Sequence, residues 1–141
     1  MTDFAAQREN MVESQVRPNG VTDRRIIDAM AAVRREDFVP EHLNSVAYMD
    51  EDVPLGGGRY LIEAMVFAKL LQLAEMKAGD KVLLVGAGMG YGAAVTAQLA
   101  AKVVVVEQVS SLAAASKRAL AGLANVLVVE GVLAEGAKGQ G

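Results

Sequence analysis

The sequence predicts an α/β fold: three parallel strands in the order 3-2-1, helices on both faces, and a helical extension ahead of them. Three observations carry that prediction. From Lys81 onward, near-continuous apolar runs alternate with alanine-rich helical stretches. The first run breaks into glycine at every second position, through Gly86-Ala87-Gly88-Met89-Gly90-Tyr91. The second, Val103-Val104-Val105-Val106, ends on a carboxylate, Glu107.

Residues 1 to about 60 carry most of the charge and all three prolines, and read as an N-terminal helical extension and loop. Residues 61–141 read as the α/β domain, the whole forming one compact unit. A first helix runs from Phe4 to about Val16 and is stopped by Pro18-Asn19-Gly20. A second spans Thr22 to Val33, with Thr22 as the expected N-cap and Asp23 in its first turn. Ile26, Ile27, Met30 and Val33 recur at helical spacing, a stripe expected to pack against the main domain. Asp50 to Gly58, with Pro54 and Gly56-Gly57-Gly58, reads as a loop, either a lid or a connector. Ile62 to Met76 then forms a helix whose buried side carries Met65, Val66, Leu70, Leu73 and Ala74.

The three strands fall at roughly 81–86, 102–107 and 125–130, with helices at roughly 90–101 and 110–121. Gly79-Asp80 and Gly122 supply helix stops. Strands apolar along their whole length suit a parallel sheet covered by helices. Right-handed crossovers place the second strand beside the first and the third beyond it. The tail from Glu135 to Gly141 is expected to fray.

Composition narrows the function classes. At 141 residues and 52% hydrophobic, the chain is a compact globular protein rather than a disordered one. A net charge of −3 gives no basic footprint for nucleic acid. No apolar run reaches membrane-spanning length, and the start lacks a signal-peptide pattern. Cysteine is absent, which removes disulfides and thiolate metal sites and fits a reducing cytoplasm. His42, the only histidine, cannot build a metal cluster and is expected on a solvated turn after Pro40.

The glycine segment points to a ligand bearing a ribose. Glycine lets the main chain bend sharply and lets a ligand approach it closely. The dinucleotide fingerprint G-x-G-x-x-G needs a third glycine at position 91, which is Tyr91, so the motif here is G-x-G-x-G. An NAD-dependent oxidoreductase is disfavoured on that ground. Glu107, at the end of the next strand, can accept hydrogen bonds from ribose hydroxyls. The alternative is a turn that serves only to bend the chain.

Several segments together resemble the protein-L-isoaspartate O-methyltransferases. They are Asn10-Met11-Val12-Glu13-Ser14-Gln15-Val16-Arg17, Ile27-Asp28-Ala29-Met30, Arg35-Glu36-Asp37-Phe38-Val39-Pro40, Ala47-Tyr48-Met49-Asp50, Val53-Pro54-Leu55, Val85 through Tyr91, and Val106-Glu107. The resemblance spans residues 8 to about 131, and order and spacing make it specific. It implies a partial Rossmann-like methyltransferase fold and S-adenosylmethionine as cofactor, with damaged aspartyl residues of proteins or peptides as methyl acceptors. Gly86, Ala87, Gly88, Gly90 and Tyr91 would then cradle the cofactor, and Glu107 would hold its ribose. No catalytic residue is identified and no metal is expected. Asp50 either lines the acceptor side or caps a turn.

The chain departs from that family pattern at Leu84 (an acid), Met89 (a small hydroxyl), Ile62-Glu63-Ala64 (hydroxyl-x-proline), Gly131-Val132-Leu133 (Gly-Asp-Gly) and Arg34 (proline). The family fold also continues with four more strands beyond the first strand, whereas this chain stops after the third. Its first strand is therefore expected to be an open edge that pairs with its copy antiparallel, giving a homodimer. Two functions follow: a carboxyl methyltransferase of the isoaspartyl-repair type, or a non-catalytic truncated homologue that folds and self-associates with weak or no cofactor binding.

Overall fold

In the computed structural model, which describes residues 2–137, the first helix begins where Asp3 takes the Ala6 N–H at 3.0 Å. Part of the tail expected to fray, residues 138–141, lies outside the described residues. Helix α1 (Phe4–Met11) continues through a π-helical turn, Val12–Val16, and a 3-10 turn, Arg17–Asn19. Pro18 sits inside that last turn, where the missing N–H costs little, and Gly20 ends it at φ 84°.

Helix α2 (Arg24–Ala32) is capped by Asp23, not by Thr22 as the sequence suggested; the Asp23 carboxylate accepts the Arg25 N–H at 2.9 Å. The Arg25 side chain bonds the same carboxylate and holds its pKa below the ordinary value. Thr22 instead gives its N–H to Gln72, whose amide also takes the Asp23 N–H and donates to the Gly20 carbonyl. Ile26, Ile27, Met30 and Val33 are all buried. Their helix packs on α1, on the π-helical turn and on the helix at 64–74, the last of these within residues 61–141.

Contacts divide the chain into two compact units, Met1–Met76 and Lys77–Gly141. The boundary falls after the helix at 64–74 rather than near residue 60, and two units replace the expected one. In the first, residues read as a loop form a hairpin, β1 (Val53–Gly56) with β2 (Arg59–Leu61), antiparallel and bulged between Pro54 and Gly56. Gly57 and Gly58 turn it at φ 61° and 74°, and Val53, Leu55 and Leu61 anchor it in the core. His42 is exposed on a 3-10 turn, Glu41–Val46, as expected.

Helix α3 (Ala64–Ala74) buries Ala64, Ala68 and Leu71. The expected face is corrected: Leu70 and Leu73 are 54% and 79% exposed, Ala74 is exposed, and Met65 and Val66 are half-buried. The helix ends on Glu75 in the left-handed region, φ 51°, before Gly79 is reached. Arg34, at an expected proline, has φ −82° and follows Val33 at ψ 130°, backbone that a proline would accept.

The second unit is the predicted repeat: β3 (Lys81–Val85), α4 (Tyr91–Thr96), β4 (Lys102–Glu107), α5 (Ser110–Ala119) and β5 (Val126–Glu130). The strands are parallel in the order β3-β4-β5, with Val85 beside Val106 and Glu107 beside Glu130. Central β4 is buried from Val103 to Glu107, and each buried valine contributes about 1.5–3 kcal/mol. Both crossovers step the same way, so right-handed connections put α4 and α5 on one face. Leu83 and Val85 of edge strand β3 are 50% and 53% exposed, whereas Val104 and Val106 beside them are buried, and Gly136 lies against Leu83. Among the described residues no helix is long and apolar enough to cross a membrane.

Candidate functional site

The carboxyl ends of the parallel strands gather the turns after β3, β4 and β5, where open α/β sheets bind ligands. The β3 turn is built by its glycines. Gly86 extends the sheet by donating to the Val106 carbonyl at 2.8 Å, then leaves it at φ 86°. Gly88 (φ 57°) and Gly90 (φ 108°) complete a turn closed by the Gly90 N–H on the Ala87 carbonyl at 3.0 Å. Gly90 is also the N-cap of α4, and a Cβ there would stand 2.9 Å from Leu120 Cδ1.

Glu107 meets this turn directly. Its Oε1 accepts the Gly88 N–H at 2.8 Å, while Oε2 accepts the N–H groups of Gln108 and Val109 at 2.8 and 2.9 Å. The side chain is fully buried. The carboxylate thus anchors two loops at once. On the other side, Ser116 of α5 donates its hydroxyl to the Gly88 carbonyl at 2.7 Å. The β5 turn joins the same end: the Gly131 N–H bonds the Glu107 carbonyl at 3.0 Å, and the Leu133 N–H bonds Gln108 Oε1 at 3.1 Å.

Six residues were expected to line a cofactor, and the structure sorts them. Gly86 and Ala87 are half-buried at the rim; Gly88, Gly90, Tyr91 and Glu107 are buried. Among the described residues, no internal hydrogen bond takes the N–H of Ala87 or of Met89. The glycine amides, by contrast, are all engaged within the chain. Glu107 lies beside the glycine turn as predicted, but engaging ribose hydroxyls requires it to share or release a main-chain bond. Leu84 and Met89 are half-buried, and Val132 is 50% exposed by the β5 turn.

The other candidate, Asp50, is exposed in a bend before the hairpin. Its neighbour Asp52 does the capping, taking the Glu63 N–H at the start of α3 at 2.8 Å. Ser116 carried no motif signal; a lone serine in an alanine run, four residues before a leucine, was its only trace. No cluster of three or more metal-ligating side chains occurs among the described residues.

Comparison with known proteins places these features. The family model for protein-L-isoaspartate(D-aspartate) O-methyltransferase matches residues 6–140. The chain is 41% identical over 132 residues to protein-L-isoaspartate O-methyltransferase 1 of Rhodopseudomonas palustris, covering 92% of itself and 54% of that protein. It is 40% identical over 133 residues to the protein-L-isoaspartate O-methyltransferase of Methanoculleus marisnigri, covering 94% of itself and 60% of the relative. The chain therefore spans little more than half the length of the curated relatives it matches. A solved protein-L-isoaspartate O-methyltransferase superposes with TM-score 0.79 at 27% identity, over 92% of this chain and 44% of that one. A Plasmodium falciparum structure assigned to the same enzyme type, in complex with S-adenosyl-L-homocysteine, shares the fold at TM-score 0.70 and 20% identity; the match covers 92% of this chain and 63% of that one.

Proposed function

This chain belongs to the protein-L-isoaspartate(D-aspartate) O-methyltransferase family, and from that premise we propose that it is a carboxyl methyltransferase using S-adenosylmethionine on isoaspartyl proteins or peptides. The observation that carries the reading is the glycine turn at the carboxyl end of the sheet, tied to Glu107 and with two amides that have no internal partner among the described residues. The residues fit such a cofactor. Gly86 and Ala87 form the approachable rim, and the Ala87 and Met89 N–H groups offer donors. Gly88, Gly90, Tyr91 and Glu107 hold the shape from beneath, and Glu107 is the carboxylate that would engage a ribose by sharing or releasing a main-chain bond.

Bound there, the cofactor supplies a methyl group already activated on sulfonium. The protein's share is placement and exclusion of water. An acceptor carboxylate, with a pKa near ~4, is ionised at neutral pH and needs no base. The cofactor role falls to the second unit. The reading places the protein in the cytoplasm, supported by the absence of cysteine.

Isothermal titration with S-adenosylhomocysteine at neutral pH tests this directly. Binding at micromolar Kd or tighter is the expected result, followed by methyl transfer to an isoaspartyl peptide. No heat signal would end the reading. It would favour the second one, a non-catalytic homologue with weak or no cofactor binding, to which the apolar Leu84, Met89 and Val132 and the engaged Glu107 all lean. Loss of one charge-assisted hydrogen bond at the cofactor costs about 1.5–3 kcal/mol, enough to weaken binding roughly tenfold to a hundredfold.

The homodimer belongs to the same proposal. Among the described residues β3 is paired on one side only, with Leu83 and Val85 exposed beside it, and bare apolar edges recruit partners. Light scattering at micromolar concentration is expected to give twice the chain mass; a monomer mass would refute β3 pairing.

A further inference from the structure

We propose that Ser116 is a positioning residue for the cofactor loop: by holding the Gly88 carbonyl inward, it aims the Met89 N–H outward at the ligand. The inference rests on the cofactor reading above and goes one step deeper. A trans peptide is planar, with its C=O and N–H pointing in opposite directions. The Gly88 carbonyl and the Met89 N–H belong to one such plane. Ser116 Oγ donates to that carbonyl at 2.7 Å from a fully buried site, which fixes the direction of the N–H across the plane. The preceding peptide is fixed by the same logic from the other side, because Glu107 takes the Gly88 N–H at 2.8 Å. Glycine at 88 has no side chain to resist rotation of either plane, so both anchors are needed.

The setting argues that the hydroxyl has a purpose. Ser116 follows Ala113-Ala114-Ala115 in α5, and alanine is the better residue in a helix interior. Burying a hydroxyl there is unfavourable unless it is hydrogen-bonded, and its bond goes to the turn rather than to its own helix. One turn later, Leu120 lies against Gly90 and leaves no room for a side chain there. Helix α5 therefore acts as a template under the turn, with Ser116 setting direction and Leu120 setting height.

The test combines Ser116→Ala with a ¹⁵N–¹H spectrum and titration with S-adenosylhomocysteine. The expected result is a shifted or broadened Met89 amide resonance, an affinity about tenfold weaker, and a Tm lowered by the loss of one buried hydrogen bond. A Met89 resonance and affinity equal to wild type would overturn the proposal. So would a lowered Tm with undiminished affinity, since that marks a structural role alone. If the wild-type protein itself gives no heat with the ligand, the function reading fails, and the Met89 resonance decides the positioning claim by itself. Should Ser116→Ala not fold, Ser116→Cys, which keeps the volume and weakens the donor, is read the same way.

Discussion

Gly90→Ala is expected to destabilise the second unit by about 2–4 kcal/mol and to lower its Tm by roughly 10–20 °C. Two separate costs add. The backbone at φ 108° lies outside what an L side chain adopts without strain. The added Cβ would also sit 2.9 Å from Leu120 Cδ1 and 3.1 Å from its Cγ, so the buried Leu120 side chain must shift to admit it. A double-mutant cycle separates them. Trimming Leu120 to alanine relieves the clash but not the strain, so the pair should cost less than the sum of the singles by about 1 kcal/mol or more. Thermal melts of the four proteins are the measurement. A Gly90→Ala protein that melts with wild type would show that the turn is not held as described.

Much of this second unit is written plainly in the chain. Valine runs with helical stretches between them admit few folds, and glycines at 86, 88 and 90 mark the point where β3 must turn. What the pattern cannot carry is direction. Glu107 at a strand end was visible, but whether its carboxylate faces a ligand or the neighbouring turn depends on loops folding together. Thr22 and Asp23 are both competent caps, and only the phase of the chain entering α2 chose Asp23. The hairpin at 53–61 was hidden because its strands are short and its glycines read as loop. On α3, apolar residues occupy more than one face, so periodicity could not rank Leu71 above Leu73. Nothing in the charged run Arg35-Glu36-Asp37 signals burial; that its first two members are buried depends on partners far away in sequence.

Arg35 and Tyr48 set the second large effect: Arg35→Leu is expected to cost about 3–5 kcal/mol, with Tyr48→Phe at about 2–3 kcal/mol. The Arg35 side chain is fully buried, giving Nε to the Ala47 carbonyl at 2.6 Å and Nη2 to the Ile62 carbonyl at 2.9 Å. Leucine fills much of the volume but leaves both carbonyls dry and unpaired. The neighbouring Tyr48 hydroxyl donates to Glu36 and accepts from the Arg35 N–H at 3.1 Å and from Arg8 Nε at 3.2 Å. Burial is the main reason its pKa is pushed up to about 12, with the Arg8 hydrogen bond pulling the other way. The protonated phenol is therefore the folded form. Its stabilisation is present in full below the ordinary value of 10.0 and is lost as pH rises through about 12. Tyr48→Phe should remove that alkaline sensitivity while lowering stability at neutral pH. Arg34 supplies the control, since its side chain is 64% exposed while pairing with Glu36, and Arg34→Ala should cost no more than about 1 kcal/mol. Urea unfolding at pH 7 and at several values above 10 reads all three; an Arg35→Leu protein as stable as Arg34→Ala would show that the buried guanidinium holds nothing together.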